Sequence, residues 1–387
     1  MEHQVERQRG LAVKYYLRHY FDPDFNHLKP KTTHRDNVSD MYSMGYVQNV
    51  INGQVLAEIV PFEQAGENHD PRFVLNDPVF PSGANTRVDP AHPQYLLAAA
   101  NGYVFYIGGR ITVKCLLNVR QDVCFQTGNI FFVGDMAIHG SVRSGFSIQG
   151  NNVRIMGMLE GGEARARKDI MIEGGARGGA GQRCLVTAGG KILTPFLEKV
   201  EARSRDNIMV EKFCLYSTIY AGANLIVRDQ LYGSTINAYG TVYVGKQLGN
   251  KAGLTTKIFL GYDPLSIRHL EKIDDMISSM SQSMTHLTAV AGHLPPNSNE
   301  ASRKLAKLTE ERQQLMHTRD NLWNRLYADE KLSSACRLSV PGIVYPGVEI
   351  YIGRAFMMVE RVYQNVSFRL CYDDIMVEPL PVPKKAV

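Results

Sequence analysis

The sequence predicts a mainly β protein. Its centre is a single-stranded, right-handed β-solenoid (β-helix) with coils of about 17 residues, interrupted by an antiparallel α-helical coiled-coil hairpin and preceded by a small α+β region. Three observations carry that expectation: a repeated apolar anchor, a matching register on either side of it, and an abrupt change to a heptad seam.

The anchors come first. The segments GDMAIHG, NNVRIMG, KDIMIEG, GGKILTP, DNIMVEK, ANLIVRD and GTVYVGK share a polar or glycine turn followed by apolar–x–apolar. Their first apolar residues are Met136, Val153, Ile170, Ile192, Ile208, Leu225 and Val242, at intervals of 17, 17, 22, 16, 17 and 17. A fixed period of this length marks a stacked repeat. The long interval contains EGGARGGAGQR, which reads as a loop bulging from one coil.

The register follows. Two residues after each anchor stand Ile138, Ile155, Ile172, Thr194, Val210, Val227 and Val244, all β-branched. Six residues before it stand Ile130, Ser147, Ala164, Val186, Ala202, Ile219 and Ile236; four before it stand Phe132, Gln149, Ala166, Ala188, Ser204, Ala221 and Ala238. Period-two alternation on both sides of a turn predicts two short strands per coil, each with one inward face. Asn152, Asp169, Asn207 and Asn224 precede their anchors and suit the turn, where they would stack into a polar ladder. Open solenoid ends would be adhesive edges. Residues 100–119 and the C-terminal PGIVYPGVEIYIG and VSFRLCYDDIMVEP read as covering strands.

The position after each anchor points outward, yet Met171, Leu193, Met209, Ile226 and Tyr243 are apolar there, with Arg154 the exception. A stacked apolar stripe calls for a cover. That cover is either another part of this chain or a partner, and the five residues form the candidate interaction stripe. Arg165, Arg167, Arg203 and Arg205 recur at matched positions and form a candidate basic patch. Glu163, Asp169, Glu201 and Asp206 beside them favour local ion pairing.

From Pro264 the period changes. Leu270, Ile273, Ile277, Met280, Met284, Leu287, Ala291 and Leu294 follow alternating steps of three and four, a heptad seam. AGHLPPNSN breaks the helix, and Leu305, Leu308, Leu315, Leu322 and Leu326 line a second one, with Arg312 and Arg319 interrupting the seam. Pairing with itself or with a second chain both satisfy this pattern. Trp323, the only tryptophan, is expected in packing.

The resulting division is residues 1–95 as the N-terminal region, 96–262 as the solenoid, 263–333 as the hairpin, 334–380 as strands returning to the solenoid and 381–387 as a mobile tail. In the first region GQVLAEIVPF reads as a strand ending at Pro61.

Net charge is +5 without a Lys/Arg run, so a nucleic-acid partner is not expected. Six cysteines form no C-x-x-C pair, which predicts reduced, mostly buried thiols and no metal site. MEHQVERQRG is no signal peptide and no apolar run reaches bilayer length, so the protein is expected in the cytoplasm without a membrane span. His139, in a solenoid turn, lacks the register of acyltransferase solenoids. GGARGGAGQR lacks the context of a phosphate loop. No catalytic residues and no cofactor are therefore expected.

The segments GQVLAEIVP, LLAAANGYVFYIGGRITV, TGNIFFVGDMAIHGSVRSGFSI, EGG…EGGARGG and PGVEIYIG, in this order, resemble the flagellar assembly protein A family from about Gly53 to Glu378. The resemblance implies a β-solenoid with a coiled-coil insertion before the last solenoid strands. It also implies a bacterial cytoplasmic protein of flagellar assembly or of cell-surface or polar organisation. Its partners would be flagellar assembly factors or a sugar-phosphotransferase regulatory protein, and it offers no catalytic residues. The expectation is a non-enzymatic scaffold, with a homo-oligomer as one form of its assembly. The alternatives are a β-helix that binds or modifies a polysaccharide, whose stripe would be acidic or aromatic, and a polymerising solenoid of cytoskeletal type.

Overall fold

The computed structural model describes residues 14–25, 45–67, 69–179, 181–291, 299–327 and 335–381. The expected tail, apart from residue 381, lies outside them. The chain is mainly β and winds a β-solenoid of about eight turns with coils of about 17 residues. It divides into two compact units. One comprises residues 1–157 and 164–167, the other 158–163 and 168–387.

In the first unit, an antiparallel sheet pairs Tyr15–His19, Val55–Pro61, Tyr95–Ala98 and the short strands Val74–Leu75 and Thr86–Val88. A second sheet joins Asn49–Val50, Gly102–Ile107 and Arg110–Lys114. Leu17, Leu56, Leu96, Val104 and Ile111 meet in one core because alternation places each on an inward face. The strand from GQVLAEIVPF does end at Pro61. The solenoid then begins: Leu116–Val119, Asp135–Ile138 and Val153–Ile155 pair in parallel.

One register differs from expectation here. Ile130 pairs with Ile148, not Ser147. Ile148 is buried while Gln149 is exposed. A one-residue slip exchanges faces, and the apolar side chain takes the inward one.

In the second unit the anchors of Ile170–Ile172, Ile192–Glu198, Ile208–Leu215, Leu225–Val227 and Val242–Val244 align in parallel. A flanking row aligns Cys184–Ala188, Val200–Ser204, Thr218–Ala221, Thr235–Ala238, Thr256–Leu260 and Val348–Ile352.

A third row corrects the expectation of two strands per coil. It runs through Leu159–Glu160, Ala176–Arg177, the ends of the strands at Glu198 and Leu215, Gln230–Tyr232 and Gln247–Leu248. Its inward residues Leu159, Ala176, Leu197, Cys214, Leu231 and Leu248 are fully buried. The Gly-rich run is accordingly not all loop, since Ala176–Arg177 belongs to this row. Gly175 has φ +90, and a Cβ there would lie 2.3 Å from the Phe196 ring, so only glycine admits that turn.

The polar ladder forms. Asn224 Nδ2 donates to Asn207 Oδ1 at 2.9 Å, and Thr241 N and Oγ1 donate to Asn224 Oδ1, each at 2.8 Å.

After Leu260 the chain leaves the solenoid. Asp263 caps helix α1 (Pro264–Ala291): its carboxylate accepts from Ser266 N at 3.1 Å and Ser266 Oγ at 2.7 Å. Helix α2 (Asn299–Tyr327) runs antiparallel to it. Ile277, Met280, Met284 and Leu287 of α1 are half-buried, as are Leu305, Leu308, Arg312, Leu315, Arg319 and Leu322 of α2. Arg319 reaches Asp274 of α1 at 3.8 Å, so a basic side chain in the seam meets an acid across it. The helices dock on the solenoid wall where Ile267 and Leu270 pack with Tyr262, Phe259, Trp323, Leu326 and Tyr351.

Arg337–Val344 re-enters the solenoid beside Val242–Val244 and Gln247–Leu248. The pairing then turns antiparallel: Ala355–Met358 against Val348–Ile352, and Tyr363–Cys371 against both Arg337–Val344 and Asp374–Pro379. That reversal ends the parallel stack.

Candidate functional site

The five stripe residues form one unbroken column. Met171 pairs with Leu193, Leu193 with Met209, Met209 with Ile226, and Ile226 with Tyr243. Each flanks an anchor whose own side chain is buried, so the pleat turns them outward. Met171 and Tyr243 are each 39% exposed, and Leu193, Met209 and Ile226 between them in the column are half-buried. Tyr243 next meets Ser339, which meets Ser367, so the apolar column ends on serines. Ion pairs border it: Arg228 with Glu211 at 3.0 Å and Lys246 with Asp229 at 2.8 Å.

The four arginines are not one patch within either unit. Arg165 and Arg167 are exposed in the first unit. In the second, Arg205 is exposed, while Arg203 is half-buried and its Nε donates to Glu201 at 2.7 Å. Local pairing is therefore what holds Arg203. His139 is exposed, and its ring Nε2 lies 3.5 Å from Asn118 Oδ1.

Arg203 and Glu201 also line a feature that the periodicity does not reveal. A cleft of about 430 Å³ lies between the flanking row and α1. The solenoid side contributes Arg183, Lys199, Glu201 and Arg203, and α1 contributes Arg268, Glu271, Lys272 and Asp275. Lys199 and Tyr216 sit at consecutive coil corners with φ +54 and +50, a left-handed turn that aims non-glycine side chains away from the core. Tyr220 on the solenoid wall donates to the Glu271 carboxylate. Burial pushes the Glu271 carboxyl above its usual range, and burial with the neighbouring carboxylate raises the Tyr220 phenol as well. Cys184 lines the cleft, and burial pushes its thiol up to about 11, which makes it a poor nucleophile. All six cysteines are free; Cys184, Cys214 and Cys336 are buried. Among the described residues no group of three His, Cys, Asp or Glu side chains could hold a metal ion. No described helix is long and apolar enough to cross a membrane.

Parallel coils, a buried three-row core and an inserted antiparallel helical pair define a β-solenoid protein. The family model for the Flagellar Assembly Protein A beta solenoid domain matches residues 116–375, more than half of the 387-residue chain. The chain belongs to that family. Comparisons with curated proteins and with solved structures returned no match.

Proposed function

We propose that the protein is a non-enzymatic scaffold in flagellar assembly that holds another protein against its apolar column. The family supports the process, and the column from Met171 to Tyr243 supports the mode. An uninterrupted line of apolar side chains on an outward sheet face, bordered by ion pairs, has the apolar centre and charged rim of a protein interface. A polysaccharide-binding face would present acidic or aromatic side chains in that line, and only Tyr243 is aromatic. The column is built on paired strands, so its spacing is held by the solenoid itself. The partner would be a flagellar assembly factor or a sugar-phosphotransferase regulatory protein, met in the cytoplasm.

The test is site-specific photocrosslinking from position 209 in the source cell, with flagellation scored alongside. One protein crosslinked in stoichiometric amount, lost together with flagellation in Met209→Lys and Ile226→Lys, is expected. Normal flagellation and unchanged crosslinking in both variants would overturn the reading.

A further inference from the structure

The cleft beneath α1 carries an excess of positive charge that the protein does not neutralise. Arg183, Lys199, Arg203, Arg268 and Lys272 face only Glu201, Glu271 and Asp275. Glu201 is shared: Arg203 donates to it at 2.7 Å, and Arg268 Nε lies 3.9 Å from the same oxygen. Glu271 is engaged by Tyr220, and burial favours its neutral form. No carboxylate among the described residues lies within ion-pair distance of Arg183, Lys199 or Lys272. Arg203 and Arg268 are only 20% and 28% exposed, so water screens them less than surface cations. Cations that line one cleft repel one another, and a counter-ion relieves that repulsion.

We propose that this cleft binds a small phosphorylated anion, which joins the solenoid wall to helix α1. The cations arrive from both walls: Arg183, Lys199 and Arg203 from the coils, Arg268 and Lys272 from α1. A phosphate ester places two charges and three acceptor oxygens on one centre, matching an excess of at least two positive charges reached from two directions. Guanidinium groups donate in parallel pairs to such oxygens, and ammonium groups complete the shell. The cleft volume of about 430 Å³ falls within the roughly 300–1,000 Å³ of small-molecule sites. Free phosphate would fill a fraction of it, so an organic ester or a pyrophosphate fits better. Bound there, the anion would hold α1 against the wall at Tyr220 and Glu271. This inference does not depend on the apolar column.

The test is calorimetric titration of the full chain with pyrophosphate, with a nucleoside diphosphate and with citrate, at low and high salt. Hydrogen exchange of α1 is followed in parallel. Saturable one-to-one binding of pyrophosphate or the nucleoside diphosphate is expected, weakening as salt rises, with slower exchange over residues 268–277. Arg183→Gln combined with Lys272→Gln should weaken it about tenfold or more, since each removes a charge-assisted hydrogen bond. Neither residue has an ion pair to lose, so the fold should be intact, and an unchanged thermal unfolding profile without ligand checks this. Ile226→Lys, which disables the apolar column, should bind as the parent does. Absence of saturable binding at millimolar concentration, citrate binding as tightly as pyrophosphate, or unchanged affinity in the double variant would each overturn the proposal.

Discussion

Tyr220 and Glu271 join the solenoid to its helical insertion through one hydrogen bond, the phenol donating to a carboxylate that burial holds above its usual pKa. Tyr220 stands on the outward face of Thr218–Ala221, between the inward Ile219 and Ala221. Glu271 faces it from the first turns of α1. The acid is therefore placed where its charged form is less welcome than in water.

Replacing Glu271 with Gln keeps an acceptor for Tyr220 and removes the ionisation. A folded-state pKa raised above 4.5 means that stability falls as pH rises from 4.5 through the folded value, because the carboxyl must then ionise inside the protein. Glu271→Gln should therefore be more stable than the parent at pH 7 and equal to it below pH 4.5. Thermal unfolding followed by circular dichroism at both values checks this, and a deficit at pH 7 would contradict it.

Asn237 lies one strand from Tyr220 in the same outward line, paired across to Tyr220 and Phe259. It is 1% exposed, and neither its Nδ2 nor its Oδ1 has a hydrogen-bond partner. Burial of an unsatisfied amide costs more than an apolar side chain of the same size would. Asn237→Leu should raise stability by about 1–2 kcal/mol, read from urea denaturation midpoints.

Asn224 bonds to Asn207 on one side and Thr241 on the other. Asn224→Ala takes the shared acceptor from Thr241 N–H and Oγ1–H in a part-buried corner, while the Asn207 amide oxygen keeps the backbone N–H of residue 224. The expected cost is about 1–3 kcal/mol, and amide exchange at Thr241 should quicken in the variant.

His19 in the N-terminal unit packs edge-on against Phe73, Phe21 and Tyr106 at ring distances of 4.3, 5.2 and 5.6 Å. Burial, and then the Arg72 guanidinium, lower its pKa from 6.5 to about 4, against the opposing pull of Asp24 and Asp70. The unfolded chain takes up the proton first, so stability present above pH 6.5 is lost as pH falls toward 4. His19→Phe should flatten this acid slope, measured as unfolding midpoint against pH. A slope identical to the parent's would show that other groups cause it.

What the sequence displayed depended on how many inward residues each strand carries. Ile208 and Val210, or Ile170 and Ile172, alternate across an outward residue, and two such positions per strand make a period visible. The third row offers one: Leu231 between Gln230 and Tyr232, Ala176 before Arg177, Cys214 before Leu215. One buried residue has no alternation to betray it, although Leu159 and Ala176, or Cys214, Leu231 and Leu248, do recur at the coil period. The slip at Ile148 has a related reason: by spacing Ser147 and Gln149 fit the inward alternation, and only burial picks out Ile148 between them.

The stripe was legible because it shares the anchors' period. The cleft was not. Arg183 and Lys199 come from successive coils and Arg268 from a helix that docks across them, and no spacing in the chain encodes that docking. In the sequence Leu270 reads as the ordinary start of the seam, and only the structure shows it and Ile267 buried against the solenoid wall.

The length of this protein comes in quanta. Asn207 and Asn224, Ile208 and Leu225, Cys214 and Leu231 are each separated by one full turn, and each pair occupies equivalent places in its column. Excision of residues 208–224 would set Asn207 against Leu225, where Asn224 now stands, and every column would close over the gap. Losing half as many residues would leave one coil too short to pass through all three rows, and the columns would break at that coil. Such an architecture can grow or shrink by whole rungs while its ends stay the same, which makes the distance between whatever it holds at either end an adjustable and inheritable dimension.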